Sequence, residues 1–63
     1  MSDIQIENHG TLFLFRPITD EGREWLKAHV QEDAQWFGGA LAVEHRYAKD
    51  LALGAQEEGL RIE

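Results

Sequence analysis

The chain has 63 residues, no cysteine, and twelve Asp plus Glu against six Lys plus Arg, a formal net charge of −6. This length allows one domain, and the missing thiols exclude disulfides and thiolate metal sites. The acidity argues against nucleic-acid phosphate or an anionic membrane surface as partner, since both select clustered positive charge.

With 43% hydrophobic and 10% aromatic residues, the composition is that of a small globular protein rather than a disordered one. Met1-Ser2-Asp3 carries no basic segment and no apolar segment follows it, so no signal peptide is expected. No apolar run exceeds four residues, as in Leu12 to Phe15, which is far too short to cross a bilayer. A soluble, cytoplasmic protein is the expectation.

Ile4-Gln5-Ile6-Glu7 alternates apolar and polar residues and predicts a short strand. Asn8-His9-Gly10 is turn chemistry, and Thr11 to Arg16 predicts a second strand closing at Pro17, so the pair reads as a hairpin. Thr19 is the expected N-cap of a first helix over about 20–31, with Asp20 and Glu21 in its first turn. Gly22, Trp25, Leu26, His29 and Val30 form its inward face. Residues 31–39 read as connection, with Ala34 to Phe37 able to add a helical turn.

Ala40 to Glu44 follows a Gly38-Gly39 pair and alternates as a strand, although helix competes there. A second helix carries a stripe of Tyr47, Ala48, Leu51, Ala52 and Ala55, with Arg46 spaced to pair with Asp50. Glu44 enters or caps that helix, and Tyr47 is placed in the core with its hydroxyl at the edge. Gly59 fits just past the helix end, although Glu57 and Glu58 oppose the dipole there. Leu60-Arg61-Ile62 predicts a short final strand. The predicted fold class is α+β, a small antiparallel sheet packed with two helices in a single domain over 1–63.

Leu12, Phe13, Leu14 and Phe15 put large apolar groups on both faces of one strand. Two short helices cover one face of a small sheet, so the other needs the Trp36-Phe37 loop or a second chain. A homodimer or a protein partner is therefore expected.

His9, His29 and His45 are the only imidazoles. No two of them share the i,i+4 spacing of a compact zinc site, and His29 with Asp33 supplies two ligands at most. No metal and no cofactor is expected. Gly38-Gly39 lacks the features of a phosphate loop, no nucleophile elbow is present, and Glu44-His45-Arg46-Tyr47 are consecutive residues whose side chains diverge. No catalytic residue is assigned. Trp36, Phe37, Glu44, His45, Arg46 and Tyr47 together make the candidate interaction surface, because Trp and Tyr anchor protein interfaces.

Glu7-Asn8-His9-Gly10, Arg16-Pro17-Ile18-Thr19, Trp25 and the block Trp36-Phe37-Gly38-Gly39-Ala40-Leu41-Ala42-Val43-Glu44-His45-Arg46-Tyr47 resemble a family of very short proteins of bacterial genomes and their phages or prophages. The resemblance spans about 6–60. It implies a small, free-standing cytoplasmic protein carried on mobile DNA, and brings no catalytic or binding residues with it. Three functions follow as expectations. The first is a non-enzymatic protein-interaction module acting through the aromatic surface. The second is a phage-type inhibitor of a host defence or DNA-processing enzyme, using the acidic surface. The third is a small enzyme or metal-binding protein built on His9, His29 and His45.

Overall fold

The computed structural model describes residues 2–30 and 34–63. Along the chain lie β1 (Ile4–Asn8), β2 (Leu12–Pro17), α1 (Asp20–His29), β3 (Trp36–Phe37), β4 (Ala40–Glu44) and α2 (His45–Glu57). The strands form one antiparallel sheet in the order β1-β2-β4-β3. The α+β class read from the sequence is therefore the observed one.

The β1–β2 hairpin turns through Gly10 and Thr11. The His9 N–H donates to Leu12 O at 2.9 Å, and Asn8 Oδ1 accepts the Gly10 N–H at 2.9 Å. Register pairs Ile6 with Phe15 and Asn8 with Phe13, so Ile4, Ile6, Phe13 and Phe15 share one face. On β4, Leu41 pairs with Phe15 and Val43 with Phe13, extending that face. Both helices cover it. Ile4, Phe15, Leu26, Leu41, Val43, Ala48, Ala55 and Leu60 form the buried core.

Gly38 and Gly39 both have positive φ, 56° and 83°. Two consecutive left-handed residues make the tight turn that matches strand twist, and only glycine adopts it without a Cβ penalty. The turn commits residues on both sides to strands. Trp36 pairs with Leu41 and Phe37 with Ala40, and the Ala42 N–H donates to Gln35 O at 2.9 Å. The expected helical turn at Ala34 to Phe37 is thus replaced by an edge strand.

The expected N-cap is present: Thr19 Oγ1 accepts the Gly22 N–H at 3.1 Å and donates to Asp3 Oδ1 at 2.6 Å. Asp3 ties three parts of the chain together. Its backbone oxygen accepts the Ile18 N–H at 2.7 Å, and its carboxylate accepts the Arg61 N–H at 2.9 Å. Helix α1 ends at His29, two residues before the expected limit, with Val30 extended as C-cap.

Glu58 caps α2, and Gly59 follows with φ 87°. The Leu60 N–H donates to Ala55 O at 3.0 Å and the Gly59 N–H to Gln56 O at 3.0 Å. This paired closure, with Leu60 buried near Ala55, satisfies the end carbonyls. No basic residue occupies the last turn, so the unfavourable Glu57 and Glu58 charges are not offset there. The chain then runs beside β1 as a single parallel bridge, Ile4 to Ile62, in place of the expected strand. None of the helices is long and apolar enough to cross a membrane among the described residues.

Candidate functional site

Strand alternation sends Leu12 and Leu14 to the sheet face opposite the helices, with Ala42 and Glu44 beside them. Leu14 is half-buried and Leu12 is 39% exposed. The β3 segment does not fold over this face as a cover; it extends the sheet in its own plane. The same pairing separates the two adjacent aromatics. Trp36 shares a face with Leu41 and Phe37 with Ala40, so they point to opposite sides of the sheet. Trp36 is 37% exposed and Phe37 55%.

Tyr47 sits in the first turn of α2 and is 64% exposed, not in the core as its place in the apolar stripe implies. The inward positions are taken by Ala48 and Ala55, with Leu51 and Ala52 half-buried beside them. Those small residues draw the helix close to the sheet, and Tyr47 lies at the margin of the stripe. Glu44 does occupy the N-cap position of α2, yet its side chain makes no capping hydrogen bond. It turns instead to Arg46, whose Nη2 lies 3.5 Å from Glu44 Oε2. The expected Arg46–Asp50 pair is replaced by this contact, because Arg46 reaches back over the helix start. Both groups are exposed, so the pair contributes little stability.

A groove of about 860 Å³ brings Leu12, Trp25, Phe37, Leu41, Tyr47 and Leu51 together. It draws on every element except β1. Val43 and Gly54 line it as well, and Glu44 and Asp50 are the carboxylates of its wall. Of the expected surface residues, Phe37, Glu44 and Tyr47 therefore meet at one place. Trp36, His45 and Arg46 lie outside its lining, and His45 packs against Phe13 with ring centroids 5.4 Å apart.

The residues that sequence reasoning missed here are Trp25, Leu51, Asp50 and Gly54. Trp25 is half-buried rather than fully in the core, and its ring stacks on His29 with centroids 4.1 Å apart. His29 Nδ1 also donates to Trp25 O at 2.8 Å, which fixes the ring one helical turn above the indole. The Trp25 Nε1–H is buried and has no hydrogen-bond partner among the described residues. On its other side this stack borders a second, smaller groove of about 440 Å³ that includes Glu21, Glu24 and Glu58. The signal for Trp25 was its helical spacing with His29, which gives a neighbour but not its exposure.

The three imidazoles are dispersed. His9 Nε2 lies 3.3 Å from Glu7 Oε1 beside the first turn, His29 stacks on Trp25, and His45 packs on Phe13. Glu7 also faces Arg16 at 3.6 Å. The hydrogen bond with His9, then the Arg16 charge, holds the Glu7 carboxyl below its ordinary range. The expected His29–Asp33 pairing lies outside the described residues.

Chemically, the arrangement offers an apolar trough with aromatic walls and carboxylate edges. It gathers no nucleophile–base pair among the described residues. No protein-family model, curated protein or solved structure matches this chain.

Proposed function

We propose that the chain is a non-enzymatic protein-interaction module whose contact surface is the groove framed by Phe37, Tyr47 and Leu12. The observation that carries this reading is the exposure of Phe37 and Tyr47, 55% and 64%, in the lining of one largely apolar groove. An exposed aromatic pair contributes nothing to the core. Rigid aromatic side chains flanking an apolar pocket are the usual energetic anchors of an interface, because they bury much area at small entropy cost.

The test is a pair of variants, Phe37→Ala and Tyr47→Ala, compared for folding and for recovery of protein partners from cell extract. Both variants are expected to fold, and to lose a partner that the parent chain retains in stoichiometric amount. Retention of every partner by the doubly substituted chain would refute the reading.

A further inference from the structure

We infer that the groove accepts a cationic, amphipathic peptide segment of its partner, an inference that rests on the interaction reading above. Two independent observations carry it, the first being charge. The described residues that line the groove include two carboxylates, Asp50 and Glu44, the latter 3.5 Å from the Arg46 guanidinium, one imidazole, His29, and no Lys or Arg, and the chain as a whole carries −6. The apolar lining, with Leu41, Val43 and Leu51, selects apolar side chains, and the Asp50 carboxylate selects Lys or Arg beside them. A second copy of this chain would bring the same negative charge against the same carboxylates. The complementary occupant is basic.

The second observation is Gly54, in the interior of α2. A helix-interior glycine costs about 1 kcal/mol relative to alanine. Its φ is not positive, so no turn requires it. A Cβ built there would meet the Trp25 indole at 3.4 and 3.5 Å, ordinary contact distances. Folding therefore gives no reason for glycine at this position, whereas the groove does. Gly54 lines it next to the Trp25 ring, and the missing side chain leaves depth for a partner's apolar group.

The experiment is fluorescence anisotropy with a labelled synthetic peptide of about twelve residues, Leu and Lys in helical register, long enough to cross a small domain. A peptide with Glu in place of Lys is the counterpart. The Lys peptide is expected to bind and the Glu peptide to fail. Asp50→Lys should weaken binding about tenfold. Glu57→Lys makes the same change in net charge on the exposed end of α2, outside the groove, and should change it by less than about twofold.

Gly54→Leu fills the trough and should weaken binding in a chain shown to be folded by circular dichroism; should it unfold, the Asp50 and Glu57 comparison decides. Equal weakening by Asp50→Lys and Glu57→Lys would overturn the inference, since binding would then follow overall charge. So would equal binding of both peptides, or binding of neither. If neither peptide binds but the chain self-associates in a Tyr47-dependent way, the partner chemistry falls while the interaction surface stands. If Tyr47 also proves irrelevant to any association, both fall.

Discussion

Two glycines in helices have opposite reasons, and substitution separates them. Gly22 sits under the start of β1, where an added Cβ would come 2.5 Å from Asp3 O and 3.1 Å from Ile4 Cγ1. The obstacle is backbone, so it cannot swing aside. Gly22→Ala is expected to destabilise by about 1–3 kcal/mol, although alanine is the better helix former. Gly54→Ala should instead stabilise by about 0.5–1 kcal/mol, because its Cβ has room and the helix gains propensity. Urea unfolding of both variants measures the contrast. Both are glycines within helices, and neither has a positive φ. Only the distance to Asp3 or to Trp25 tells them apart.

At the scale of elements, the start of α1 and the close of α2 were the most legible features, because their chemistry is local. Thr19 followed by Asp20 and Glu21 favours a helix start by local chemistry alone, and Thr19→Ala should cost about 1 kcal/mol in thermal or urea unfolding. Asp3, which accepts the Thr19 hydroxyl and the Arg61 N–H, was not legible, since its partners lie far along the chain. Those hydrogen bonds, the Thr19 one first, hold the Asp3 carboxyl below its ordinary value. A carboxyl whose folded pKa is depressed stabilises the fold above its unfolded value, about pH 4, and loses that contribution as pH falls through the lower folded value. Asp3→Asn should therefore lower stability at neutral pH and flatten its acid dependence. Unfolding midpoints measured from neutral to acidic pH would show it, and an unchanged slope would count against the linkage. The β3 strand was missed for the opposite reason. Two residues carry no period, and the Gly38-Gly39 turn had to be joined to Leu41 before Trp36 and Phe37 could be placed.

For the whole molecule, the question the double-sided apolar strand poses is where the surplus apolar surface goes. Two helices take the Phe13 and Phe15 face, and the Leu12 and Leu14 face keeps the solvent on one side of a four-stranded sheet. The surplus thus lies on an open sheet face and in a groove that shares Leu12 with it, and β3 extends the sheet rather than covering it. It follows that the two exposed aromatics of the groove, Phe37 and Tyr47, add little to the stability of the molecule, whereas Trp25 packs against the core. Tyr47→Ala should shift the unfolding free energy by no more than about 0.5 kcal/mol, in contrast to Leu41→Ala or Phe15→Ala, which should cost about 2–5 kcal/mol. A Tyr47→Ala loss as large as these core truncations would place Tyr47 in the fold rather than at a contact surface.

The sequence by itself determined the α+β class, the first hairpin, the cap at Thr19 and the close of α2 at Gly59, while it left Ala40 to Glu44 open between strand and helix. Each rests on short-range rules: alternation, turn residues with positive φ, a side chain capping its own helix. Tertiary structure alone decided that Trp36 and Phe37 part to opposite faces, that Tyr47 is outside the core, and that Arg46 turns to Glu44 rather than Asp50. It also decided that Trp25, Phe37, Tyr47 and Gly54 line one groove. These depend on register between strands and on how near α2 lies to the sheet. Both are set by contacts between residues distant in the chain, which no local pattern encodes.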